Sequence, residues 1–161
     1  MMMKIYFSVV PEVAGGESIE NLKKLMHFLQ DQGHVVYRAP YILSEDPNQF
    51  LQKELGFDRE PNYTEQREAH MKWIDNADIL LADLSVISEG RSMIIQRAID
   101  KPEMGLPNTP IILIKGKKFN RRIGKLTSGL IESSKVIYYE YNNIDEVINN
   151  WQGLLQKSHE S

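Results

Sequence analysis

The sequence predicts a three-layer α/β fold, in which a parallel β-sheet lies between two layers of helices. Short apolar segments alternate with helix-like segments about five times along the 161 residues. These apolar segments are nearly continuous, which is typical of strands that are buried on both faces of a parallel sheet. Right-handed crossovers between five such strands favour the flavodoxin-like strand order 2-1-3-4-5.

The elements of the first half are separated by residues that cap or interrupt regular structure. Ser18 is a predicted N-cap, and Gly33 fits the position just after a helix. The predicted elements are, in order, a strand at Ile5–Val10, a helix through Ile19–Leu29, a strand at Val35–Tyr37, a short helix at Gln49–Leu55 and a helix at Tyr63–Asn76.

The second half contains the strongest buried strand, Ala77–Leu84, and then repeats the alternation of helix and strand. The helices again show apolar residues at a spacing of three and four. The further predicted elements are a helix through Ile94–Ile99, a strand at Pro110–Ile114, a helix at Ile123–Ile131, a strand at Val136–Tyr139 and a closing helix at Ile144–Leu155.

The composition excludes several classes of protein. There is no cysteine, so disulfides, thiolate metal sites and a cysteine nucleophile are excluded. The net charge of -3 argues against binding to a nucleic-acid backbone, and no apolar run is long enough to span a membrane. The histidines lack metal-ligand spacing, and no phosphate-binding glycine motif is present. We therefore expect a single cytoplasmic domain over residues 1–161, without metal or cofactor.

The predicted ligand site lies beyond the carboxyl ends of the strands, where parallel sheets of this kind bind ligands. In this sequence those ends fall at Ser8–Glu12, Asp83–Gly90 and Lys115–Lys118. Asp83 ends the central strand at this edge and is a candidate functional acid, although it could equally cap the following turn. The basic cluster that continues to Arg122 could hold an anion or could be a solvated loop.

Four segments carry a resemblance to a known family: Lys4–Ser8, Trp73–Ser85, Ser88–Gly90 and Gln96–Ala98. Together they resemble the nucleoside 2-deoxyribosyltransferase family, nearest the branch that hydrolyses 2′-deoxynucleoside 5′-monophosphates. The resemblance runs from the first strand to the fifth. It implies a flavodoxin-like homodimer that cleaves an N-glycosidic bond with a glutamate nucleophile, as retaining glycosidases do.

Some residues match the family pattern. Tyr6 matches the first-strand tyrosine that positions the nucleophile. Ser88 and Gly90 match the start of the family's Ser-x-Gly-x-Gly-x-Glu string, and Ser128 matches a serine that a neighbouring subunit contributes to the phosphate site. The resemblance therefore implies that these residues surround a nucleoside-like ligand, together with Ser8 at the end of the first strand.

Other residues depart from the family pattern. Ile94 stands at the position of the glutamate nucleophile, and His70 stands at the position of the auxiliary aspartate. In the first loop, Val9, Val10 and Glu12 replace the glycine, serine and arginine of the monophosphate branch. Glu12 would repel a phosphate, so a neutral nucleoside is expected to bind better than its monophosphate.

These departures leave three functions open. The first is a protein that binds a nucleoside or related small ligand and has lost the N-glycosidic chemistry. The second is an active N-glycosidase with relocated acids, in which Asp83 or Glu89 acts with His70 and Tyr6. The third is a dimeric interaction module without catalytic activity. An open polar pocket would favour the first two functions, and a pocket plugged by Val10, Met93 and Ile94 would favour the third.

Overall fold

The structure is a computed structural model that describes residues 1–9, 16–37, 46, 49, 52–53, 55–119 and 121–161. Within these residues, five parallel strands form one sheet in the order β2-β1-β3-β4-β5. The strands are β1 (Lys4–Ser8), β2 (Val35–Tyr37), β3 (Ile79–Asp83), β4 (Ile111–Gly116) and β5 (Ile137–Tyr141). The predicted fold class and strand order are confirmed.

The helices cover both faces of the sheet. Their bounds are α1 (Gly16–Asp31), α2 (Tyr63–Asn76), α3 (Glu89–Asp100), a 3-10 turn (Lys101–Met104), α4 (Lys125–Glu132), α5 (Ile144–Asn149) and α6 (Trp151–Glu160). Apolar residues of α1, α5 and α6 form one core, and those of α2, α3 and α4 form the other. The sheet therefore separates two hydrophobic cores, as the three-layer prediction requires.

Alternation along β1 sends successive side chains into different cores. Ile5 and Phe7 pack among the residues of the first core, whereas Tyr6 points into the second, beneath α2 and α3. Because both faces of the sheet are covered, the strand reads as an uninterrupted apolar run. This alternation also brings the hydroxyl group of Tyr6 to the same side of the sheet as α2.

Several helix ends differ from their predicted positions. Helix α4 begins at Lys125 and not at Ile123, and the last helix ends at Glu160 and not at Leu155. Helix α1 begins at Gly16, so Ser18 lies within the helix and is not its N-cap. The closing helix is divided at Asn150, whose side chain donates to the carbonyl of Glu146 at 2.7 Å. An asparagine that bonds to the backbone in this way competes with the regular helix pattern.

The predicted end of α1 and the bounds of α2 are confirmed. Gly33 has a φ of 84°, and the amide of His34 donates back to the carbonyl of Leu29, which is the bond of a Schellman motif. Of the short helix predicted at Gln49–Leu55, the described residues 49, 52 and 53 are helical, and Leu55 lies in a turn beyond the helix. Val10 and Glu12 lie outside the described residues. No helix in the described ranges is long and apolar enough to cross a membrane.

Candidate functional site

A pocket of about 300 Å³ opens at the carboxyl end of β1, between α2 and α3. Five residues that the sequence selected line it together, namely Tyr6, Ser8, His70, Ser88 and Gly90. The other residues that line it are Val9, Arg67, Met71, Arg91, Met93 and Ile94. The pocket is therefore open, and it combines polar groups with an apolar wall.

Tyr6 and His70 form the polar pair at the base of the pocket. The Tyr6 hydroxyl lies 2.7 Å from Nδ1 of His70, which joins β1 to α2. The His70 ring is also held edge-on against Trp73, with 5.1 Å between ring centroids. The phenol and the imidazole can each donate or accept, depending on the tautomer of the histidine. The pair is thus a fixed hydrogen-bonding group at the position where the family resemblance implies an aspartate.

Helix α3 begins at the pocket. Ser88 is its N-cap, because the Ser88 hydroxyl accepts from the amide of Arg91 at 3.2 Å. Gly90 lies in the first turn and is exposed, so the backbone of that turn approaches the pocket without a side chain in between. The amide groups of a first helical turn point outward and favour polar or anionic ligand groups.

Two arginines of the lining, Arg67 and Arg91, were not predicted from the sequence. Arg67 is exposed on α2, whereas Arg91 is only 3% exposed and donates from Nη1 to the carbonyl of Val86 at 2.7 Å. The position of Arg91 in the sequence could have indicated its role. Arg91 lies three residues before Ile94 on the apolar face of α3, where a charged side chain is unexpected.

Ile94 closes the apolar side of the pocket. Its side chain is 5% exposed and packs in the core formed with α2 and α4. An alkyl group therefore occupies the position that the resemblance assigns to the nucleophile. Among the described residues that line the pocket, none is an aspartate or a glutamate.

The other selected residues lie away from this lining. Asp83 is buried and accepts from the amide of Ser85 at 2.9 Å and from the hydroxyl of Tyr141 at 3.4 Å. This is the turn-capping arrangement that was the alternative reading of Asp83. Burial raises the pKa of Asp83. Glu89 is exposed on α3, and Ser128 lies part-buried on α4.

The β3–α3 loop is held by charged donors. Arg121 donates from Nη1 to the carbonyl of Leu84 at 2.8 Å and to that of Val86 at 2.7 Å. The Val86 carbonyl therefore accepts from both Arg121 and Arg91. These bonds fix the backbone that leads to Ser88 and to the start of α3. Over the part of the chain that the structure describes, no group of three or more His, Asp or Glu residues could hold a metal ion.

The fold and the position of the pocket define a flavodoxin-like α/β protein with an open pocket at the carboxyl edge of its sheet, where proteins of this fold bind ligands. Among solved structures, the chain is similar to the CMP N-glycosidase BcmB of Clostridium botulinum, with a TM-score of 0.62 and 18% identity. That match covers 94% of this chain and 98% of the other. At this identity the similarity shows a shared fold. No protein-family model and no curated protein sequence matches the chain.

Proposed function

We propose that the pocket binds a nucleoside or related small ligand and that the glutamate-dependent cleavage of the N-glycosidic bond has been lost. One observation carries the proposal. The pocket is open, but an isoleucine, Ile94, lines it at the position of the nucleophile. An oxocarbenium-like sugar needs a carboxylate within bonding reach, and an alkyl side chain cannot supply one.

The composition of the lining supports binding of a small ring-containing ligand. Met71, Met93 and Ile94 give an apolar wall, and the hydroxyl groups of Ser8 and Ser88 lie among the lining residues. Small-molecule sites typically combine a mostly apolar surface with a few fixed polar groups, in volumes upward of about 300 Å³. A nucleoside has the matching chemistry, since it joins a flat base to a hydroxyl-rich sugar.

The positions of the relocated acids favour binding over cleavage. Asp83 does not line the pocket, and its carboxylate oxygens already accept from Ser85 and Tyr141. Glu89 is exposed at the first turn of α3 and is also absent from the lining. Since neither carboxylate is among the lining residues, binding is favoured over the active N-glycosidase.

The loss of chemistry is tested by incubating the protein with nucleosides and their 5′-monophosphates, in the ribo and 2′-deoxy series, and separating the products by chromatography. We expect no enzyme-dependent release of free base. Base release that disappears in Asp83→Asn or Glu89→Gln would contradict the proposal and would establish the relocated-acid enzyme.

Ligand binding is tested by calorimetric titration of the same nucleosides. Met93 is 54% exposed at the pocket, so Met93→Trp should narrow the pocket and weaken binding without disturbing the core. Met104→Trp is the matched control, because Met104 is 41% exposed and lies in the 3-10 turn outside the lining. Absence of binding by every nucleoside would favour the interaction module instead.

A further inference from the structure

We propose that the ligand of this pocket is a nucleoside 5′-polyphosphate, whose phosphate chain extends from the pocket over the loop between β4 and α4. The inference rests on the proposed nucleoside site and specifies its substrate class. The described residues 115–119 and 121–125, which run from the end of β4 to the start of α4 and are called here the basic loop, supply the charge that a polyphosphate would meet.

The basic loop is the most concentrated positive segment of the chain. It contains six lysines and arginines and no aspartate or glutamate, in a protein whose net charge is -3. Clustered charge of one sign at the rim of a cleft raises the local concentration of ligands of opposite charge. The cationic residues are Lys115, Lys117, Lys118, Arg121, Arg122 and Lys125.

Direct contacts connect the basic loop to the pocket wall. Arg121 of the loop and Arg91 of the pocket lining donate to the same carbonyl oxygen of Val86, each over 2.7 Å. The amide of Gly116, where the loop begins, donates to the Ser85 hydroxyl at 2.9 Å. The β3–α3 loop is thus shared between the two regions, and a ligand that leaves the pocket beside Ser88 would meet the basic loop next.

The described lining of the pocket is also cationic. Arg67 and Arg91 are among its residues, and no described lining residue carries a carboxylate. Five of the described carboxylates lie at the same edge of the sheet. Asp83 is buried, Glu89 is exposed on α3, Glu140 lies beside Lys115 in the register of β4 and β5, and Asp145 and Glu146 lie in the first turn of α5. The six cations of the basic loop exceed these acids by one.

A chain of phosphates fits this arrangement better than a single phosphate. An exposed arginine such as Arg67 can bind one phosphate group through two parallel hydrogen bonds. Lys117 and Arg122 are exposed farther along the loop, and neither forms an ion pair within the described ranges. Only a ligand with additional phosphate groups would contact them. From the sequence, Glu12 predicted that a neutral nucleoside binds better than its phosphate. The present proposal is the opposite, because the described lining is cationic and Glu12 lies outside the described residues.

The test is calorimetric titration, at low and at physiological salt, of the four ribonucleosides, their 5′-monophosphates, their 5′-triphosphates and inorganic triphosphate. For the preferred base, we expect affinity to rise from nucleoside to monophosphate and again to triphosphate, the last step by about tenfold at low salt. Lys117→Gln/Arg122→Gln should abolish that last step and leave nucleoside affinity unchanged.

The matched control is Lys135→Gln/Lys157→Gln, which removes the same charge from exposed positions elsewhere and should keep the triphosphate step. Equal affinity for monophosphate and triphosphate would overturn the inference, as would a triphosphate step that survives in Lys117→Gln/Arg122→Gln. If nucleosides bind and phosphates add nothing, the inference fails while the proposed function stands. If inorganic triphosphate alone binds, the proposed function fails and the inference fails with it.

Discussion

The hydrogen bond between Tyr6 and His70 shows how one residue pair shapes the pocket. Tyr6 is 1% exposed, and its hydroxyl lies 2.7 Å from an imidazole nitrogen of α2. A buried hydroxyl without a partner would be unfavourable. The pair therefore fixes both the position of α2 over β1 and the orientation of the only two aromatic polar groups in the described lining.

Tyr6→Phe is expected to lower the free energy of unfolding by about 1 kcal/mol, because it removes one hydrogen bond and leaves a ring nitrogen of His70 without that partner. The control is Tyr138→Phe, whose hydroxyl bonds the exposed Glu140 at 2.6 Å. That change should alter stability by less than about 0.5 kcal/mol. Urea unfolding of the three proteins measures both effects, and equal losses in the two variants would contradict the prediction.

Folding buries the carboxyl group of Asp83 away from water, which disfavours its charged form. Burial raises its pKa above the ordinary value of 3.8, against the lowering effects of its hydrogen bonds and of Arg91. The folded protein therefore binds a proton at Asp83 more tightly than the unfolded chain does. Its contribution to stability falls as the pH rises from 3.8 through the raised pKa.

Asp83→Asn should remove this dependence, since an amide keeps the shape and does not ionise. We expect the stability of the variant relative to the wild type to increase as the pH rises through the acid range and then to level off. Asp75→Asn is the opposite control, because the hydrogen bond from Arg97 lowers the pKa of Asp75. The Asp75 contribution is present above 3.8 and lost as the pH falls. Urea unfolding at a series of pH values measures the free energy of unfolding of the wild type and of both variants. If the free energy of unfolding depends on pH in the same way in the wild type and in Asp83→Asn, the raised pKa of Asp83 is contradicted.

At the scale of elements, α2 is fixed at both ends. At its start, the Asn62 side chain accepts from the amide of Glu65 and the Glu65 carboxylate accepts from the amide of Asn62, which is a capping box. The hydrogen bond from Arg59 and this backbone bond lower the pKa of Glu65 to about 2. At its end, the ammonium group of Lys101 donates to the carbonyls of Ile74 and Ala77. Helix α2 carries His70 and Arg67, so these ends determine one wall of the pocket.

Lys101→Met is expected to destabilise the protein by about 2 to 4 kcal/mol. Lys101 is 1% exposed, and its replacement removes a buried ammonium donor from the carbonyls of Ile74 and Ala77 and from the Thr109 hydroxyl. Within the described residues, those groups then keep only the bond from the Ala77 amide to Ile74 and the bond from Thr109 to Ala77. Lys72→Met is the control, because Lys72 is exposed on the same helix and should cost less than about 0.5 kcal/mol. Thermal or urea unfolding distinguishes the two, and a small effect at Lys101 would contradict the capping role.

At the scale of the whole molecule, helix α4 presents an apolar side chain to solvent. Leu126 is 90% exposed, and no residue of α4 is fully buried. Ser128, which the family resemblance places in a neighbour's phosphate site, lies on the same helix. These features support the homodimer that the resemblance implies, with a second copy of the chain packed on α4.

We therefore expect a dimeric mass by light scattering at micromolar concentration. Leu126→Lys should shift the mass toward the monomer, since it places a charge in the proposed contact. Ile87→Lys is the matched control for loss of an exposed apolar residue, because Ile87 is 70% exposed in the loop before α3. A monomeric mass for the wild-type protein would contradict the homodimer.

The sequence by itself determined the strand order, the burial of the sheet on both faces and the bounds of α2. These features depend on local periodicity and on the handedness of crossovers. The sequence also selected Tyr6, His70 and Ser88, which the fold brings together. Only the tertiary structure decided that Asp83 caps a buried turn, that Arg91 lines the pocket, and that Arg121 reaches Val86. The reason is physical. The burial of Asp83 beside Tyr141 and the bond from Arg121 to Val86 depend on side chains that meet across 35 or more residues. The place of Arg91 in the lining depends on which face of α3 meets the cavity.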